Sequence, residues 1–102
     1  MAFPINPHRP RIAELCRRYR VRRLDLFGSA LRDDFDADSS DLDLLVEFLE
    51  TRPAGAADRY FDLRQALQST LHRPVDLVVR NGVRNPYFLR AVEQAHLNLY
   101  AA

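Results

Sequence analysis

The chain contains no lysine, and all fifteen of its basic residues are arginines. A Schiff-base lysine is therefore excluded, and so is a Gly-x-x-x-x-Gly-Lys phosphate loop. The single cysteine, Cys16, has no internal disulfide partner, which suits a reducing compartment. No apolar run approaches the roughly 20 residues of a membrane span, and the opening MAFPINPHRP carries no apolar signal segment. These absences predict a small soluble protein of the cytoplasm. Repeats, low-complexity tracts and linkers are missing too. With 102 residues, 47% of them hydrophobic, the chain can bury roughly 65% of its unfolded surface and is expected to form one domain over 1–102.

Charge is present in quantity and unevenly placed. The net charge is only +1, yet residues 9–23 hold seven arginines against Glu14, and residues 33–50 hold six Asp and two Glu with no base. The basic stretch reads as a solvated helix face, with an acidic partner or nucleic acid as the other possibility.

Apolar spacing divides the rest into alternating elements. Ile12, Leu15, Cys16 and Tyr19 recur at helical spacing and predict an amphipathic helix of about ten residues with Cys16 in the core. RRLDLF at 22–27, LDLLVEF at 42–48 and PVDLVV at 74–79 read as strands. Tyr60, Leu63, Leu67 and Leu71 mark a helix over 56–72. Gly28-Ser29 and Asn81-Gly82 break the pattern, with a short helix expected from Ser29. Asn85-Pro86 caps a last helix running to about Ala95. The expected fold is α/β or α+β: a small mixed sheet flanked by helices.

Within this frame the acidic residues are the unusual feature. Side chains alternate along a strand, so Leu42, Leu44, Val46 and Phe48 share one face while Asp41, Asp43, Leu45 and Glu47 share the other. Asp41 and Asp43 then project the same way about 7 Å apart. Like charges so placed repel unless a cation lies between them. If the strands at 42–48 and 74–79 are neighbours, Asp76 joins them. Three carboxylates make a hard, oxygen-only site suited to magnesium, with phosphate oxygens completing its shell. Gly28-Ser29 supplies a complementary half: a glycine that lets the backbone approach a phosphate, and a hydroxyl at a turn with free N–H groups. A calcium loop starting at Asp36 fails, because Asp41 stands where the sharp turn needs glycine and Leu44 where an oxygen ligand belongs. Asp33, Asp34, Asp36 and Asp38 read as loop residues, and His8, His72 and His96 as surface residues.

Gly28-Ser29, Asp41-x-Asp43 and Asp76 in an apolar strand together resemble the nucleotidyltransferase superfamily of the DNA polymerase β type. GSALRDDFDADSSDLDLLVEF looks like its minimal prokaryotic members, and the likeness extends over nearly the whole chain. The resemblance implies a polymerase β-like fold, two magnesium ions on Asp41, Asp43 and Asp76, and Asp76 orienting or deprotonating the acceptor hydroxyl. It also implies a triphosphate held by Gly28, Ser29 and Arg32. Leu31 and Asp33 depart from the Ala and Gly common in relatives. Many such proteins are antitoxins that transfer AMP from ATP to a tyrosine of a HEPN-type ribonuclease toxin, and that activity and partner are expected here. The alternatives are a binding module that neutralises its partner by contact, and an enzyme acting on a small molecule or RNA end.

Overall fold

The computed structural model describes residues 3–32, 41–49 and 52–102. Its elements in chain order are α1 (Arg9–Arg18), β1 (Val21–Phe27), β2 (Leu42–Phe48), α2 (Ala56–Leu71), β3 (Val75–Val79), α3 (Pro86–Gln94) and β4 (His96–Ala101). Three short 3-10 turns cover Asn6–His8, Gly28–Leu31 and Arg80–Gly82. The four strands form one sheet in the order β3-β2-β1-β4. β1 runs antiparallel to both β2 and β4, while β2 and β3 are parallel and joined through α2. The sheet is mixed, as expected, and β2 and β3 are neighbours.

The two faces of the sheet are unlike. Leu24, Leu26, Leu42, Leu44, Val46 and Leu77 meet Ile12, Leu15 and Cys16 of α1 and Leu63 and Leu67 of α2 in one apolar core. Burial of these side chains is the main stabilising term. Cys16 lies wholly inside it, and burial pushes its thiol up to about 12, so it is packing and no nucleophile. The opposite face carries Asp25 and Phe27 from β1, Asp43 and Leu45 from β2, and Asp76 from β3. Here α3 adds one wall, its Phe88 ring meeting Phe27 edge to face at 5.5 Å.

Several boundaries differ from expectation for identifiable reasons. α1 begins three residues before Ile12 because Pro10 sits in its first turn, where a missing N–H costs nothing. The chain after Gly28 makes a four-residue 3-10 turn instead of an α-helix. Apolar spacing predicts no strand past Ala95, whereas His96–Ala101 pairs with β1 as β4. The Asn85 cap is as expected, its side chain accepting the Tyr87 N–H at 2.9 Å. Among the described residues no helix is long and apolar enough to cross a membrane.

Candidate active site

Strand register assembles the site. Parallel pairing sets Asp43 directly opposite Asp76 across β2 and β3, and antiparallel pairing sets Phe27 opposite Asp43 across β1 and β2. Residues so paired on neighbouring strands lie about 5 Å apart. The register of β3 is held from the α2 side. Gln68 accepts the Val75 N–H at 3.1 Å, Arg64 donates to the Val75 carbonyl at 3.1 Å, and Tyr60 donates to the Leu77 carbonyl at 2.6 Å. These bonds satisfy outward backbone groups of an edge strand and prevent a slip that would turn Asp76 inward. Asp41 lies one residue before β2, beside the Leu42 N–H bond to the Pro74 carbonyl.

Gly28 closes the group from the β1 side. Its φ of +76° is a backbone conformation that residues with a Cβ rarely adopt. A Cβ there would collide with the Asp43 carboxylate, and would stand 3.2 Å from its Cγ. The glycine is therefore required twice, by its backbone angle and by the carboxylate seated against it. Ser29 and Arg32 flank the same turn, the Arg32 N–H donating to the Ser29 carbonyl at 3.0 Å.

Electrostatics single out Asp43. It is half-buried, and its carboxyl is pushed above the ordinary 3.8, first by burial, then by Asp76 and then by Asp41, while the Arg32 guanidinium opposes the shift. Both other predicted acids thus act on Asp43, and so does Arg32. Asp41 and Asp76 are exposed, so the group faces solvent. Among the described residues no three His, Cys, Asp or Glu side chains close on one point as a ready-made cage. An open set of carboxylates fits magnesium, which keeps several waters and shares its shell with substrate phosphates.

Asp25 is a further acid on this face that the sequence reading passes over. It is 2% exposed, with Arg23 donating to it at 2.8 Å and Asn98 at 2.9 Å. Arg23 also donates to His96 Nε2 at 3.1 Å, whose Nδ1 is 3.0 Å from the Val92 carbonyl. The chain of bonds ties β1 to β4 and to the end of α3, and braces the wall that carries Phe88. An aspartate between Leu24 and Leu26 in RRLDLF is the signal that could have found it. Of the histidines, His72 is exposed while His8 and His96 are half-buried. Asp33, Asp34, Asp36 and Asp38 lie outside the described residues.

The nucleotidyltransferase domain family matches residues 11–97. This chain belongs to that family. A Methanocaldococcus jannaschii protein assigned as a protein adenylyltransferase is 35% identical over 77 residues, which span 76% of this nucleotidyltransferase and 74% of the relative. A solved structure assigned as a minimal nucleotidyltransferase superposes with a TM-score of 0.76 at 31% identity, covering 91% of this chain and 90% of that one. The fold also matches a chain in the solved complex of a tri-AMPylated Shewanella oneidensis HEPN toxin with an MNT antitoxin. That likeness has a TM-score of 0.66 at 23% identity and covers 94% of this chain and 71% of the other.

Proposed function

We propose that this nucleotidyltransferase is an antitoxin that transfers AMP from ATP to a tyrosine hydroxyl of a HEPN-type ribonuclease toxin. The observation that carries the reading is the placement of Asp43 opposite Asp76 with Gly28 against its carboxylate. That arrangement sets a turn able to approach phosphate beside a cluster of negative charge that needs a cation. The assignment of the relative as a protein adenylyltransferase supports the activity, and the AMPylated toxin in the structural neighbour supports the acceptor class. We take residues 1–102 as one domain, and the reaction as a cytoplasmic one.

In this reading Asp41 and Asp43 would hold two magnesium ions and Asp76 would share one of them. Bound magnesium would neutralise the triphosphate and stabilise the charge that develops at phosphorus. Gly28 and Ser29 present backbone N–H groups and a hydroxyl to the β- and γ-phosphates, with Arg32 adding positive charge at the mouth of the turn. The tyrosyl oxygen attacks the α-phosphorus. As the new O–P bond forms, the bond between the α-phosphorus and its bridging oxygen breaks and pyrophosphate leaves. Asp76, exposed at the edge of the group, orients the phenol and accepts its proton. Each transferred AMP would add phosphate charge to the toxin, which opposes an RNA substrate by repulsion and bulk.

Position-labelled ATP tests the reaction class. With toxin, magnesium and this protein, label on the α-phosphate should enter the toxin in amounts matching the pyrophosphate released, while γ-label should not. Transfer of γ-label would mean a kinase and would defeat the proposal.

A further inference from the structure

Residues 3–8, FPINPH, run beside the candidate phosphate turn, and the roles given so far leave them unused. The segment is stiff, because Pro4 and Pro7 each fix a backbone angle. Ile5, 4% exposed, anchors it in the core, and the His8 N–H donates to the Ile5 carbonyl at 2.9 Å. From this segment Phe3 reaches two parts of the site. Its N–H donates at 3.0 Å to the carbonyl of Ala30, inside the Gly28–Leu31 turn. Its ring takes the Arg73 guanidinium 4.7 Å from the centroid and stacks on the His8 ring, with centroids 6.1 Å apart and planes 17° off parallel. We infer that Phe3 is a positioning residue for the triphosphate, tying the Gly28–Leu31 turn through Arg73 to the strand that carries Asp76. The inference rests on the nucleotide-transfer reading above, and in it Phe3 acts only through other residues.

Arg73 gives the contact its reach. It lies two residues before Val75, where β3 begins, and three before Asp76. The Pro74 carbonyl beside it accepts the Leu42 N–H at 3.1 Å, one residue from Asp41. One aromatic residue therefore holds the phosphate turn by its backbone and the entrance to both acidic strands by its ring. A cation this close to a ring face is attracted by the electron-rich face, and the attraction strengthens where water is excluded. The segment meets the turn at points and not across a packed surface, because a cavity of about 390 Å³ lies between residues 3–7 and Leu26, Ala30, Leu31 and Leu97. Removing one such point should loosen the turn without dismantling the core, which lies on the far side of Ile5.

Calorimetric titration with inorganic tripolyphosphate in magnesium reads the turn without toxin or nucleobase. Phe3→Leu keeps the apolar bulk and the backbone N–H and removes only the ring. It should weaken tripolyphosphate binding and raise the KM for ATP about threefold to tenfold, within the range a cation–π contact spans. The kcat for AMP transfer should stay within about twofold, because contacts to the phosphates serve ground and transition states alike. Phe3→Tyr keeps the ring and should restore both constants. Arg73→Gln attacks the same contact from the other side and should match Phe3→Leu, so the test survives if either variant fails to fold. The double variant should be no worse than either single one, since residues acting through one contact do not add. A purely structural role would instead lower the melting temperature and leave the constants of the folded protein unchanged. Native tripolyphosphate affinity and KM in Phe3→Leu would overturn the positioning role and leave the transfer reading in place. Equal losses in Phe3→Tyr and Phe3→Leu, or losses that add in the double variant, would overturn it as well. A native protein that binds neither ATP nor tripolyphosphate would overturn the transfer reading and the inference with it.

Discussion

Asparagine at Asp41, Asp43 or Asp76 is expected to cut AMP transfer on the order of 10²–10³-fold or more, the usual cost of losing preorganised charge stabilisation at a reacting centre. The exchange removes a charged ligand and nearly keeps the shape. At Asp43 the same change should stabilise the fold in magnesium-free buffer. This carboxyl titrates above 3.8 in the folded protein because of burial and of Asp76 and Asp41, against the pull of Arg32. The folded state therefore binds that proton more readily than the unfolded state does, and stability falls as pH rises from about 4 through the elevated value. The penalty persists to neutral pH. Thermal melts should show Asp43→Asn above the native protein at pH 7, with the gap closing as pH falls toward 4 or as magnesium is added. A less stable Asp43→Asn variant with undiminished transfer would remove Asp43 from the site.

Gly28→Val should abolish both ATP binding and transfer. The added Cβ falls on the Asp43 carboxylate, and the +76° backbone angle is hostile to a β-branched residue. The chain must either twist the turn or drive Asp43 out of line with Asp76, and each outcome dismantles the phosphate side and the acidic side together. Strain of this type costs about 1–3 kcal/mol, so the variant should still fold, with a lowered melting temperature and no heat on ATP titration. Gly28→Ala carries the same Cβ and should lose most of its affinity too. Native ATP affinity in Gly28→Val would show that the turn serves the fold alone.

The pairing of Asp43 with Asp76 was foreshadowed in the sequence because it depends on alternation and spacing. Asp43 and Asp76 occur in strands whose other face is unbroken Leu and Val, and a charged residue in that setting implies a partner. Whether they meet depended on a parallel pairing that no local signal encodes, and the α2 bonds from Tyr60, Arg64 and Gln68 fix it only in three dimensions. Gly28 stood out in the sequence as a break in the strand pattern, but the structural demand for a glycine there did not. Its side-chain position is blocked by Asp43, a residue fifteen places along the chain. β4 escaped notice because HLNLYA follows α3 with no Gly or Pro to mark the change of period. Asp25 escaped because its distant partner, Asn98, becomes a neighbour only once β4 pairs with β1. Leu45 lies on the acidic side of β2 yet is 2% exposed, since both faces of this central strand are covered.

On the proposed reading, this protein would silence a HEPN-type toxin by chemistry and not by contact. Asp43→Asn distinguishes the two, because it removes one charge from the site and leaves the surface otherwise unaltered. A cognate HEPN toxin should be incubated with ATP, magnesium and either the native protein or Asp43→Asn, then divided between intact-mass spectrometry and an RNA-cleavage assay. The native protein should add AMP-sized increments to the toxin and stop cleavage, while toxin treated with Asp43→Asn should keep its mass and its activity. An unmodified toxin silenced by Asp43→Asn as fully as by the native protein would contradict the account.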